Sequence, residues 1–290
     1  METVNLKPKV NKDYKKPSNI TAMLVIFKRR VTIMLRYPSW FISLIIWPII
    51  FPFIYLFTAK ALAGTNSESL ASFKALAGTN DYVTYMLIGT TMWMWVNLML
   101  WSLGTSLRSE QVEGTLESNW LCPISKISLL FGYSLSQLLM NTVYIAVSLI
   151  EFKIIYGFEI VGNPFLALLV MLISIPSVYG LGFIFASLVM WAKETNSMVF
   201  LVRGIIMVFC GISYPLAVLP GWMKNISNVI PVTYSINALR KVIAEGKNLS
   251  YIKNDLIFLI ISGIILMFAG ILAFNYTQKK VKELGSLGQY

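Results

Sequence analysis

Three of the thirteen acids in this sequence, Glu110, Glu113 and Glu117, fall within one short stretch, RSEQVEGTLESNWLCPIS, residues 108–125. The groups that usually accompany a reacting carboxylate are missing. The chain has no histidine, so the commonest general base and metal ligand is absent. Its two cysteines, Cys122 and Cys210, are too few for a thiolate zinc or iron–sulfur centre. They are placed at different depths of the membrane and read as free thiols. No G-x-x-x-x-G-K-[ST] phosphate loop occurs, so ATP is not bound by that route. The acidic stretch therefore points to recognition rather than catalysis, and no cofactor or metal is expected on this chain.

Local sequence gives the stretch a shape. Gly114 permits backbone angles that other residues resist, Thr115 can cap a helix beginning beside it, and Pro123 stops that helix after roughly two turns. Leu116, Trp120 and Leu121 form an apolar patch, with Glu117 and Asn119 to the side. A short helix of this kind suits a groove on a cytoplasmic partner. The alternative is a loop resting on lipid headgroups, which anionic lipids would disfavour next to acids.

A second constellation lies in GTTMWMWVNLMLWSLG, where Gly89, Trp93, Asn97 and Trp101 recur every four residues on one helical face. An amide near mid-membrane prefers protein or water to lipid, so this face looks toward a seam or cavity, or else packs with Asn97 bonded to a neighbour. Arg203 falls about 9 Å into another apolar segment and is expected to snorkel to the cytoplasmic headgroups, with substrate contact as the alternative. Glu151 and Lys153 read as a solvated boundary at the outer interface.

These residues need a scaffold, and composition supplies its class. The 290 residues are 57% hydrophobic and 13% charged, well under the roughly 25% charge of a soluble domain. Six apolar stretches approach or exceed the ~20 residues needed to cross the hydrocarbon. They predict an all-α membrane protein with spans near 40–58, 82–107, 129–150, 164–191, 198–219 and 256–275, with Pro48 and Pro52 expected to kink the first. Residues 1–19 form a mobile basic tail, and 20–37 a basic amphipathic helix in the interface or the charged flank of the first span. A six-span domain follows over 38–276, with 277–290 as the C-terminal tail. KALAGTN occurs twice, at 60–66 and 74–80, a local duplication in a loop.

The net charge of +11 is unevenly placed: nine of the twenty-four Lys and Arg residues precede the first span. That bias favours cytoplasmic termini and a cytoplasmic acidic stretch, and it argues against a nucleic-acid partner. Residues 220–254 are long and semi-apolar, and Pro231 splits them into two pieces too short to span. Such pieces dip into the outer leaflet or cap the spans.

EGTLESNWLCP, residues 113–123, resembles the coupling segment of ABC type-2 exporter permeases, in which an acid-Gly-Thr-Leu-Glu run leads to a proline. GISYPLAVLPGWMKNISNVIPVTYSINALR, residues 211–240, resembles that family's fifth span and following re-entrant helices through Pro220, Trp222, Pro231, Tyr234 and Arg240. Asn119, Cys122 and Ile230 depart from the family pattern. The resemblance implies an interfacial N-terminal helix, six spans, a cytoplasmic coupling helix and outer-leaflet re-entrant helices. It assigns ATPase coupling to Glu113, Gly114, Thr115, Leu116, Glu117, Trp120 and Pro123. It also implies two ATP-binding subunits that hold the ATP and Mg, and a second permease subunit, identical or related. The expected activity is outward movement of a drug-like, lipid-like or glycolipid amphiphile across the plasma or inner membrane by alternating access. Trp93, Asn97, Trp101 and Arg203 are its expected path. A polysaccharide or teichoic-acid exporter permease, an ion-coupled carrier and a non-transporting anchor are the alternatives.

Overall fold

The computed structural model describes residues 18–37, 39–63, 73, 76, 77, 79, 81–112, 114–192 and 194–283. The basic N-terminal tail expected over residues 1–19, except Ser18 and Asn19, half of the residues of the KALAGTN repeats and residues 284–290 lie outside them. Among the described residues all regular structure is helical.

Helix α1, Asn19–Arg36, starts where Ser18 Oγ accepts the Thr21 N–H at 3.1 Å. Its apolar side buries Ala22 and Ile26, while Ile20, Leu24 and Leu35 stay exposed. Helix α2, Ser39–Ala63, continues through Pro48 and Pro52. Helix α3, Tyr82–Val112, is the centre of the bundle: 83% of its apolar window is buried, against 17% for α2. The short α4, Leu116–Leu121, leads to α5, Lys126–Tyr156, and then α6, Pro164–Ala192.

Helix α6 pairs most extensively with the last helix, α10, Leu249–Glu283. Glycines make that contact close. A Cβ on Gly180 would strike the Leu266–Met267 backbone, and one on Gly270 would strike Phe183 and the Gly180 carbonyl. Close approach through small residues is the usual way helices associate where apolar burial gives no advantage over lipid. Ser177 Oγ adds a hydrogen bond to the Leu259 carbonyl at 2.8 Å.

Five helices among the described residues, α2, α3, α5, α6 and α10, are long and apolar enough to cross a membrane. The expected fifth span differs. Helix α7, Asn196–Phe209, has only 14 residues and ends well before Leu219. Gly211 takes a φ of 64°, where side chains are strained, and Pro215 lies just beyond. The chain then passes through a 3-10 turn, Leu216–Val218, into α8, Gly221–Ser227, and α9, Pro231–Ile243. Pro231 is the first residue of α9, where its missing N–H costs nothing.

Candidate coupling and substrate sites

The acidic stretch begins inside α3. Glu110, in the last turn of that helix, is 2% exposed. Its carboxylate forms an ion pair with Arg29 of α1 and accepts the hydroxyls of Tyr133 from α5 and Thr115 from the start of α4. The Asn119 amide of α4 donates to the same group at 2.7 Å. One carboxylate thus joins four segments. An acid is unfavourable at a helix C-terminus, where the backbone dipole is already negative, so these donors are what hold it there.

Neighbouring contacts extend the junction. Arg30 lies 4.5 Å above the Tyr133 ring and donates to Ser109 Oγ at 3.4 Å. Lys126 Nζ donates to the Asn119 and Cys122 carbonyls at 2.9 and 3.0 Å, satisfying the last turn of α4. A Cβ on Gly132 would collide with Ile26 and the Met23 carbonyl, so α1 sits directly on α5. Helices α1, α4 and the adjoining ends of α3 and α5 form one charge-clamped corner.

The expected coupling residues are placed as follows. Gly114 has a φ of 69° and open space around it. Thr115 occupies the N-cap position of α4, yet its hydroxyl goes to Glu110 rather than to a helix N–H, because a buried carboxylate is the stronger acceptor. Pro123 is exposed in the bend that ends α4. Leu121 is 86% exposed at that end. Glu113 and the side chains of Leu116, Glu117 and Trp120 lie outside the described set. Glu110 itself carries no role in the sequence reading; its misfit with the α3 dipole is the signal that marks it.

The tryptophan face is also assembled. Trp93 stacks on Phe51 of α2 with centroids 4.4 Å apart, and Trp101 meets Phe200 of α7 edge-on at 6.0 Å. The Arg203 guanidinium lies 5.4 Å from the Trp93 ring and 4.6 Å from the Phe200 ring, and Nη1 reaches Asn97 Oδ1 at 3.5 Å. The Arg203 head turns into the bundle because two aromatic faces and an amide oxygen lie within reach there. An apolar cavity of about 300 Å³ lies elsewhere on α3, between it, α5 and α6, lined by Leu87, Thr91 and Thr142 among others.

The residues around the α7 break converge on Arg240. This side chain, 5% exposed, donates to the Gly211 and Ile212 carbonyls at 2.8 Å each and to the Tyr85 carbonyl at 3.2 and 3.3 Å. Its Cζ lies 3.4 Å from the Tyr85 ring centroid. Burial pulls its pKa down to about 10, against which Tyr85 acts, and the group stays a cation at neutral pH. Gly89 must be glycine at this packing, since a Cβ would strike the Ile212 carbonyl and Arg240. Tyr234 stacks on Phe258 at 3.9 Å and donates to the Asn228 carbonyl at 3.0 Å. Pro220 precedes α8, and Trp222 is exposed, edge-on to Phe209. Glu151 keeps one carboxylate oxygen buried and, among the described residues, without a hydrogen-bond partner.

The sequence pattern of the ABC-2 type transporter family matches residues 21–244, from α1 through the end of α9. The chain belongs to the ABC-2 type transporter family. It is also similar to ABC transporter G family member 20 of Dictyostelium discoideum, 30% identical over 182 residues. That match covers 61% of this chain and 24% of the relative, so the chain spans about a quarter of the length of the relative it matches. ABC-2 domains are transmembrane transport units rather than catalysts, and they generally work with ABC ATP-binding subunits. This ABC-2 chain is accordingly a multi-pass membrane protein whose clamped corner and aromatic face sit within the matched region.

Proposed function

We propose that this chain is the permease of an ATP-driven exporter, with six crossings, α7 and its bent continuation serving as the fifth. Helices α1 and α4 lie on the cytoplasmic side, and α8 and α9 dip into the outer leaflet. Two ATP-binding subunits dock against α4, hold ATP and Mg, and rock a pair of permeases between inward- and outward-open states. An amphiphilic substrate leaves along the Trp93, Asn97, Trp101 and Arg203 face of the plasma or inner membrane. The observation that supports this most is the Glu110 corner. A push on α4 reaches α1, α3 and α5 together, because all four share one buried carboxylate.

The test uses the reconstituted complex. The purified chain alone should hydrolyse no ATP, and a Glu117→Cys variant should crosslink to the ATPase and lose maleimide labelling when it binds. Free labelling of that cysteine in an actively transporting complex refutes α4 as the docking element.

A further inference from the structure

The cluster around Arg203 has many hydrogen-bond donors and few acceptors. Among the described residues the ion pairs are Arg29–Glu110, Lys241–Asp255 and Lys279–Glu283, and Arg203 belongs to none. Among the described residues its one hydrogen bond, to Asn97 Oδ1, is 3.5 Å, beyond the ordinary N–H···O range. The Trp93 indole N–H is buried with no acceptor among the described residues. The Tyr55 hydroxyl donates only to the Met207 sulfur at 3.8 Å, a weak acceptor one turn of α7 from Arg203.

The site is also walled and reachable. Phe51 stacks on Trp93 at 4.4 Å and contacts Tyr55 at 5.2 Å, fixing both rings beside the guanidinium. Arg203 is half-buried, so part of its side chain remains accessible. A guanidinium inside an apolar helix bundle without a counter-ion is costly, and an ionised acceptor relieves that cost. A neutral ligand would leave it in place.

We propose that Arg203, with Trp93, Asn97 and Tyr55 around it, is a subsite for the anionic head of the transported amphiphile, a carboxylate or phosphate. The Trp93 and Phe200 rings take the apolar body beside it. This rests on the substrate-path reading above and specifies the charge of what travels along it.

The purified chain in phosphatidylcholine nanodiscs is titrated with a dansyl-labelled long-chain carboxylic acid and with its uncharged primary amide. The acid should bind at least about ten-fold tighter, the gain expected when a charge-assisted hydrogen bond replaces a neutral one. Arg203→Gln should abolish that preference by weakening acid binding far more than amide binding, and Arg203→Lys should keep part of it. Equal binding of acid and amide to the unaltered chain overturns the anion subsite without needing a variant to fold. Persistence of the preference in Arg203→Gln overturns it as well, by placing the anion elsewhere. Failure of the path itself is distinct: neither probe's affinity would then respond to Asn97→Leu or Trp101→Ala.

Discussion

Replacing Glu110 by glutamine keeps the side chain's volume and removes its charge. In the native corner one carboxylate oxygen serves Arg29 and Tyr133, and the other serves Thr115 and Asn119. A glutamine offers one oxygen and one NH2 group, so two of these donors meet another donor. The hydroxyls of Tyr133 and Thr115 can rotate and the Asn119 amide can turn over, but Arg29 has no acceptor to offer. Each buried group left unpaired costs ~1–3 kcal/mol. Arg29 is 38% exposed, so water recovers part of its loss. Glu110→Gln should therefore destabilise by roughly 2 kcal/mol, and Glu110→Ala by roughly 3–4 kcal/mol. The assay is reversible unfolding in mixed micelles, followed by tryptophan fluorescence, on the unaltered chain, Glu110→Gln, Arg29→Gln and the double variant. Their cycle should give a coupling of ~1–2 kcal/mol, between the values for exposed and buried pairs. Losses that add to within about 0.5 kcal/mol refute the shared clamp.

Two further outcomes follow from the backbone and from the buried arginine. Gly114→Ala should cost ~1–2 kcal/mol in the same unfolding assay through its left-handed φ of 69° alone, since nothing lies within 4 Å, whereas Gly204→Ala, helical and open, should stabilise by ~0.5–1 kcal/mol. Arg240→Met should cost ~3 kcal/mol or more by leaving the Gly211, Ile212 and Tyr85 carbonyls without this donor, and Arg240→Lys should restore only part, because an ammonium cannot reproduce the planar fork.

What was legible in the sequence was what neighbouring residues decide. Pro164 opens α6, Pro231 opens α9, and Gly114 with Pro123 brackets α4, each by backbone preference alone. Apolar length alone gave α2, α3, α5, α6 and α10. It overextended the segment after Met198, where Gly211 and Pro215 are ordinary stop signals overridden by the hydrophobic run around them. The Glu110 corner was illegible because its donors come from residues 29, 115, 119 and 133, and nothing local ties those positions together. Proximity in sequence groups Glu110 with Glu113 and Glu117, yet the Glu110 side chain is buried. The surroundings of Arg203 are illegible for the same reason: reach along one helix can be counted, but Trp93 and Asn97 arrive from another.

The shortness of α7 ties the protein to the thickness of its host bilayer. Fourteen residues rise only about 21 Å, against roughly 30 Å of hydrocarbon, while α3 and α10 have 31 and 35 residues. On the α7 flank the remainder is irregular backbone at Cys210–Ile212, tolerable in an apolar medium because it is buried and because Arg240 occupies two of its carbonyls. Longer-chain lipids, which the long helices accommodate by tilting, would on this flank either thin against the protein or press on the bend. Acyl-chain length is thus a mechanical input applied to one side of the bundle, at the junction that joins α7, α9 and the central helix.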